Sequence, residues 1–356
     1  MAPLNEYGWS DHFARQVAPG DERPTARVIA EHRQMYRLVT AAGECNGRVA
    51  GRLRHHAAER GDLPAVGDWV LLRSEPAEGS DAAIDAILDR RSAFSRKAAG
   101  ETTDRQILAA NIDTVWIVSS LDHDLSPCRI ERYLALGWES GANPVVVLNK
   151  ADLCDNPQEA QSEIESVAPG TAVHVVSALT GAGVDALAVY LRPGSTVALL
   201  GSSGVGKSTL INRLAGHDLQ RTAEVRQTDS KGRHTTTARH LLRLPSGALI
   251  VDTPGMRELQ LWDADHGIKD TFTDVEELAS RCRFNDCRHA GEPGCAVAAA
   301  IESGQLPAER LASYVKLQNE LAFLDRKQSA RLTSEQNKRN RALHKTLRDH
   351  PKYKRR

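Results

Sequence analysis

The stretch "PVVVLNKADL", residues 144–153, decides how this chain is read. Its run of apolar β-formers predicts a buried strand. The strand ends in Asn149, Lys150, Ala151 and Asp152, the N-K-x-D pattern of guanine recognition. A carboxylate at Asp152 can accept from guanine's ring N–H and its exocyclic amino group. Adenine lacks both donors and would leave the carboxylate unpaired, so the discrimination is strong. Further on, "HVVSALTG" carries Ser177 and Ala178 at the end of another strand, where a backbone N–H can meet guanine's O6.

The phosphate side comes later in the chain. Gly201, Ser202, Ser203, Gly204, Val205, Gly206, Lys207, Ser208 and Thr209 spell "GSSGVGKST", a match to G-x-x-x-x-G-K-[ST]. The match sits between the strand "TVALL" and the helix "STLINRLAG", the context in which backbone N–H groups and a helix N-terminus cradle phosphates. Lys207 is expected to reach the β- and γ-phosphates of GTP, and the Ser208 hydroxyl to bind Mg²⁺. "LIVDTPG" adds Asp252, placed to hold Mg²⁺ through water, and Gly255, whose N–H can serve the γ-phosphate. A threonine from "KGRHTTTARH" is needed to complete the Mg²⁺ shell. Thr235, Thr236 or Thr237 would serve, and Thr236 is favoured. The residue after D-T-P-G is Met256, which cannot orient a water by hydrogen bonding as the glutamine of Ras-like proteins does. Intrinsic hydrolysis is therefore expected to be slow and to await a partner.

In an ordinary GTPase the N-K-x-D motif follows the phosphate loop. Here it precedes it, which predicts a circularly permuted domain; termini lie at the surface and cuts can fall between elements. Alternating apolar strands and helices support a doubly wound α/β sheet with ligands at the strands' carboxyl ends. The strands are "IDTVWIVSSL", "PVVVLNK", "AVHVVSA", "STVALLG" and "GALIVDTPG". Helices are expected over "CRIERYLALGWESG" and near 157–167, 183–191 and 207–215.

Upstream, "ARVIAEH", "MYRLVTA", "RVAGRLRH", "GDWVLLR" and "AAIDAIL" read as five short strands with no helix, an OB-like barrel. "DRRSAFSRKAAGETTDRQ" reads as a polar linker. Downstream, "RCRFNDCRHAGEPGC" brings Cys282, Cys287, His289 and Cys295 together, whereas Cys45, Cys128 and Cys154 are scattered. Three thiolates and one imidazole fill a tetrahedral shell and leave no position for substrate, so one structural Zn²⁺ per chain is expected, with free thiols as the alternative.

The 356 residues are 41% hydrophobic, ample for buried cores, and carry no net charge. The balance is uneven. From Arg326 to Arg356 stand 12 Lys/Arg and 2 Asp/Glu, against 34 basic and 44 acidic residues elsewhere. A basic tail on an acidic body suggests a polyanionic partner, or a solvated terminus. No stretch of about 18 apolar residues reads as a membrane span, and no signal pattern opens the chain, so a cytoplasmic protein without membrane contact is expected.

The barrel, the permuted "NKAD", "GSSGVGKST" and "DTPG", the "GRHTTT" segment and the Cys-Cys-His-Cys cluster resemble the RsgA (YjeQ) family of small ribosomal subunit biogenesis GTPases. The resemblance covers about residues 25–325. It implies a GTP hydrolase that binds the immature 30S subunit and its 16S rRNA, is stimulated there, and assists late maturation, acting as a monomer. It implies an RNA-binding OB-fold over 26–95, a permuted GTPase domain over 105–265 and a mainly helical zinc-binding domain over 270–325; an extension over 1–25 and a basic tail over 326–356 lie outside it. It also implies guanine at 149–152, phosphate at 201–209, and zinc on Cys282, Cys287, His289 and Cys295. One departure stands out: some members carry a basic arm before the barrel, whereas residues 1–22 hold Arg15 alone against Glu6, Asp11, Asp21 and Glu22. Rival readings are a P-loop ATPase or small-molecule kinase, disfavoured by Asp152, and a GTP-sensing RNA-binding protein with negligible hydrolysis, suggested by Met256.

Overall fold

A computed structural model describes residues 4–32, 35–77, 79–97, 105–122, 125–217, 239–252, 264–324 and 326. After a short 3₁₀ turn and α1 (Asp11–Ala14) the chain forms β1 (Thr25–His32), β2 (Met35–Thr40), β3 (Gly43–Val49), α2 (Gly51–His56), β4 (Trp69–Leu72) and β5 (Ala82–Ile87). The ring β1–β2–β3–β5–β4 closes through β4 on β1, antiparallel throughout except for the parallel β3–β5 pair. Alternate residues point inward along each strand, so Ala26, Val28, Leu38, Val70, Leu72 and Ile84 fill the interior. Closure of the sheet pairs strands that would otherwise be open edges. On the outside, Phe13 of α1 packs against Trp69, Leu71 and Leu88.

One expected strand is divided. "RVAGRLRH" contributes only its first residues to β3, and the rest is α2. Ala50 is extended (φ −62°, ψ 147°) and donates its N–H to the Ile84 carbonyl at 2.8 Å; the helix then starts at Gly51. Leu53 packs against the barrel core while Arg52, Arg54, His55 and His56 are exposed, a one-stripe pattern that short-range alternation imitates. The polar segment read as a linker is also structured at its ends. There β6 (Ala93–Lys97) and β7 (Arg105–Ala110) pair antiparallel, burying Phe94, Ile107 and Leu108.

The rest of the sheet comes from β8 (Thr114–Ser120), α3 (Pro127–Glu139), β9 (Asn143–Asn149), α4 (Pro157–Val167), β10 (Ala172–Val175), a 3₁₀ helix (Val184–Tyr190), β11 (Thr196–Leu200), α5 (Lys207–Ala215), β12 (Arg239–Arg243) and β13 (Leu249–Asp252). The order is β10-β9-β8-β11-β13-β12, parallel except for β12. Successive residues alternate between the two faces. Trp116, Val118, Val145, Val147, Val197 and Leu199 lie with Leu210 and Ile211 of α5. Val115, Ile117, Val146, Leu148, Ala198 and Leu200 lie with Ile130 and Leu134 of α3 and Ile164 of α4. A sheet covered on both faces requires the near-continuous apolar runs seen in the sequence.

Strand β12, which the sequence reading did not anticipate, joins the two sheets. Its register with β1 is Ala30↔His240 and Glu31↔Arg239, so barrel and GTPase sheet form one eleven-stranded ribbon. Arg27 fastens the junction from within. Its fully buried guanidinium donates to the carbonyls of Gly67 (3.2 Å), Asn111 (3.2 Å) and Tyr7, and to the Thr196 hydroxyl at 2.9 Å. Burial pulls its pKa down to about 10, which still leaves it charged near neutrality.

The C-terminal region contains α6 (Asp265–Thr271), α7 (Thr273–Ala279), α8 (Ala296–Glu302) and a helix over 308–324. It shares a core with the α3 face: Ile268, Phe272, Val275, Val297, Tyr314 and Leu317 join the same cluster as Leu134. Close approach of α6 to α3 needs Gly267, because a Cβ there would stand 1.9 Å from the Ala135 carbonyl oxygen. Arg310 holds the seam. It donates to Glu131 of α3 (2.7 Å), to Asp274 of α7 (2.9 and 3.0 Å) and to the carbonyls of Val167 and Thr271, with its guanidinium 4.2 Å from the Phe272 ring centroid. Burial opposes its charge, but the Asp274 and Glu131 carboxylates outweigh that and raise its pKa. Among the described residues no helix is long and apolar enough to cross a membrane.

Candidate functional site

The phosphate loop leaves β11 at its carboxyl end and enters α5. Gly201, Gly204 and Gly206 all have positive φ (141°, 87° and 93°). At two of them a side chain is also excluded by space: a Cβ would lie 2.1 Å from the Val118 carbonyl oxygen at Gly201, and 2.3 Å from Asn149 Nδ2 at Gly206. Val205 between them is buried and anchors the loop in the core. Lys207 is the first residue of α5, and its Nζ donates to the Gly201 carbonyl at 2.7 Å and to that of Ser202. Ser208 and Thr209 follow in the first helical turn, and Ser203 and Gly204 form the exposed lip of the loop.

Asn149 links this loop to the base-side motifs. It is buried at the end of β9; its Nδ2 donates to the Val205 carbonyl at 2.8 Å and its Oδ1 accepts the Ala178 N–H at 2.9 Å. The two halves that the sequence presents in reversed order therefore meet at one side chain. Lys150 turns the chain out of the strand in the left-handed region (φ 63°), and Ala151 donates its N–H to the Val176 carbonyl at 3.1 Å. Asp152 is exposed beyond that turn and accepts from the Ser177 hydroxyl. Ser177 Oγ also accepts the Thr180 N–H at 3.1 Å, so Asp152 and the 177–180 turn are tied together.

Three side chains of this region went unnoticed in the sequence. Asp122, just after β8, pairs with Lys150 Nζ at 2.8 Å. Arg213 of α5 donates to the carbonyls of Ala178 (3.1 Å) and Leu179. Arg129 of α3 donates to the Ser202 hydroxyl at 3.1 Å. None belongs to a motif. Asp252 ends β13, whose register with β11 (Ala198↔Val251) brings it beside the phosphate loop. Thr236, with Thr235 and Thr237, and Gly255, Met256 and nearly all of the basic tail lie outside the described residues.

The cysteine cluster assembles between α7 and α8. The ligand atoms of Cys282, Cys287, His289 and Cys295 all lie within 4.8 Å of one another. Cys282 Sγ is 3.9 Å from Cys295 Sγ and 3.7 Å from His289 Nδ1, and Cys295 Sγ is 3.5 Å from that nitrogen. Tetrahedral zinc with bonds of about 2.3 Å to sulfur puts neighbouring sulfurs about 3.8 Å apart, so the donor set fits that ion. His289 adopts φ 59° to turn its ring inward, and Cys295 caps α8 by accepting the Ala298 N–H at 3.3 Å.

A family model described as RsgA GTPase matches residues 87–262. A model of ABC transporters matches residues 184–347, a range containing the phosphate loop that P-loop nucleotide-binding proteins share. The chain is 49% identical to a small ribosomal subunit biogenesis GTPase RsgA of Opitutus terrae over 334 residues, 91% of each chain. It is 48% identical to an RsgA 2 of Vibrio parahaemolyticus, over 90% of this chain and 86% of that one. Among solved structures it resembles YjeQ from Thermotoga maritima, with TM-score 0.65, 28% identity, 84% of this chain and 99% of the other. The fold is also that of YloQ, a circularly permuted GTPase, with TM-score 0.60, 24% identity, 85% of this chain and 96% of the other. With its permuted motifs joined at Asn149 and relatives this similar along nearly its whole length, the chain belongs to the RsgA family of circularly permuted GTPases.

Proposed function

We propose that this chain binds the immature small (30S) ribosomal subunit through 16S rRNA, hydrolyses GTP to GDP and phosphate there, and so assists late maturation. The observation that carries the reading is Asn149, whose amide holds the phosphate loop and the guanine-side loop in one site. Asp152 reads the guanine N–H donors, the Ser177–Ala178 segment, held by Asn149, lies at O6, and Lys150, held by Asp122, lies alongside. The 201–209 loop and Lys207 bind the phosphates. Ser208 and Thr236 would hold Mg²⁺, with Asp252 behind a water and Gly255 at the γ-phosphate; the ion neutralises charge on the β- and γ-oxygens. Cys282, Cys287, His289 and Cys295 would hold one zinc per chain, a closed shell that fixes the chain between α7 and α8. The barrel (26–95) and the C-terminal unit (270–325) flank the GTPase domain (105–265) as rRNA-facing parts, and the protein acts as a cytoplasmic monomer, with the tail from 326 onward as a further contact to RNA.

Phosphate release from GTP and from ATP, with and without purified small subunits, tests this reading. Slow GTP turnover, raised at least about tenfold by subunits and accompanied by no ATP turnover, is expected. GTP turnover indifferent to subunits, or ATP used as well as GTP, contradicts it.

A further inference from the structure

Arg129, at the start of α3, reaches the phosphate loop from outside every nucleotide-binding motif. We propose that it is a catalytic residue that meets the transferring γ-phosphoryl group in the transition state and stabilises the charge developing there during GTP hydrolysis. The inference rests on the GTPase reading above.

The Arg129 guanidinium donates to the Ser202 hydroxyl at 3.1 Å, while the Ser202 carbonyl accepts from Lys207 Nζ. Two cations thus converge on one residue of the phosphate loop, an arrangement suited to a polyanion. An arginine keeps its charge at any accessible pH and presents a planar fork of donors that matches phosphate oxygens. Its mount is rigid. Two and three residues further along α3, Glu131 pairs with Arg310 at 2.7 Å and Arg132 donates two hydrogen bonds to the Glu320 carboxylate at 2.7 and 2.9 Å. The helix that carries Arg129 is therefore clamped to the C-terminal helices, so a partner that docks on those helices and shifts α3 also shifts Arg129 over the loop.

In the reaction a water oxygen bonds to the γ-phosphorus, and the bond from that phosphorus to the bridging oxygen breaks. The electron pair leaves on GDP, and the water's proton passes to phosphate or solvent. Charge grows on the γ- and bridging oxygens as this happens, and a fixed cation in cis lowers the barrier without changing its own protonation. Met256, the residue after D-T-P-G, offers no such group.

The test compares Arg129→Ala and Arg129→Lys with the unaltered chain in single-turnover GTP hydrolysis on small subunits. It also measures binding of GTP, GDP and GDP–aluminium fluoride, a mimic of the transferring phosphoryl group. The alanine variant is expected to hold GTP and GDP within about threefold of the original affinity. Its hydrolysis is expected to fall at least about 100-fold, its affinity for the aluminium fluoride complex to fall in parallel, and lysine to restore part of both. Unchanged hydrolysis and unchanged aluminium fluoride binding overturn the proposal. So does an equal loss of affinity for GTP, GDP and the mimic, because that marks a prop for the loop. An unaltered chain that never turns over GTP counts against the proposed function instead, and the binding measurements still judge Arg129.

Discussion

Asn149→Ala is expected to weaken GTP binding by roughly a hundredfold, about 3 kcal/mol. The substitution leaves the Ala178 N–H and the Val205 carbonyl without the partners they have at 2.9 and 2.8 Å. Both residues are buried, and a buried group stripped of its partner costs about 1–3 kcal/mol. The loss falls on the loop positions that GTP requires, so it appears chiefly as affinity. Titration with a fluorescent GDP or GTP analogue checks it. Binding within a factor of about three of the unaltered chain would mean that the two loops hold their places without the amide.

Arg310→Ala is the second large effect, and it concerns the C-terminal helices. Glu131 is 2% exposed, and burial pushes its carboxyl pKa up against the opposing pull of Ser313 and Arg310; Asp274 and the carbonyls of Val167 and Thr271 lean on the same guanidinium. Removing one partner of a buried pair costs roughly 3–5 kcal/mol, because the other charge stays buried. The cost is expected as local opening: faster amide hydrogen exchange over 264–324 and along α3, with the barrel unchanged. Uniform exchange across the whole chain would show that the C-terminal helices are held by their apolar contacts instead. The double change Glu131→Leu with Arg310→Met should recover much of the loss, since an apolar pair of similar volume avoids the desolvation penalty.

What the sequence revealed follows from how local each signal is. The phosphate loop, N-K-A-D and the strands before them were legible because each combines a buried apolar run with residues whose chemistry is fixed within a few positions. Helices beginning at Pro157 and Lys207 fall where the pattern placed them, since a Pro or the loop itself sets the start. The cysteine cluster was legible for the same reason. By contrast, α2 was hidden because Val49 and Leu53 supply too few apolar positions to separate a helix from a strand. The β6–β7 hairpin was hidden by the charged residues around Phe94, Ile107 and Leu108. Partners distant in the chain left no local trace at all. Arg27 meets Thr196, Arg310 meets Glu131 and Arg129 meets Ser202 only after folding, and the union of β12 with β1 depends on pairings that no single segment specifies. The fold class was readable in the motifs; the fastenings between its parts were not.

The central claim is that one guanine site is assembled from loops presented in permuted order, with Asp152 as the reader of the base. Calorimetric titration of Asp152→Asn with GTP and with xanthosine triphosphate tests it most directly. Xanthine carries a carbonyl where guanine carries its amino group, so an amide at 152 can donate where the carboxylate accepted. The expected result is a reversal, with the unaltered chain preferring GTP and the variant preferring xanthosine triphosphate by at least about tenfold. A variant that keeps the original preference for GTP would contradict the assignment of the base site to residues 149–152.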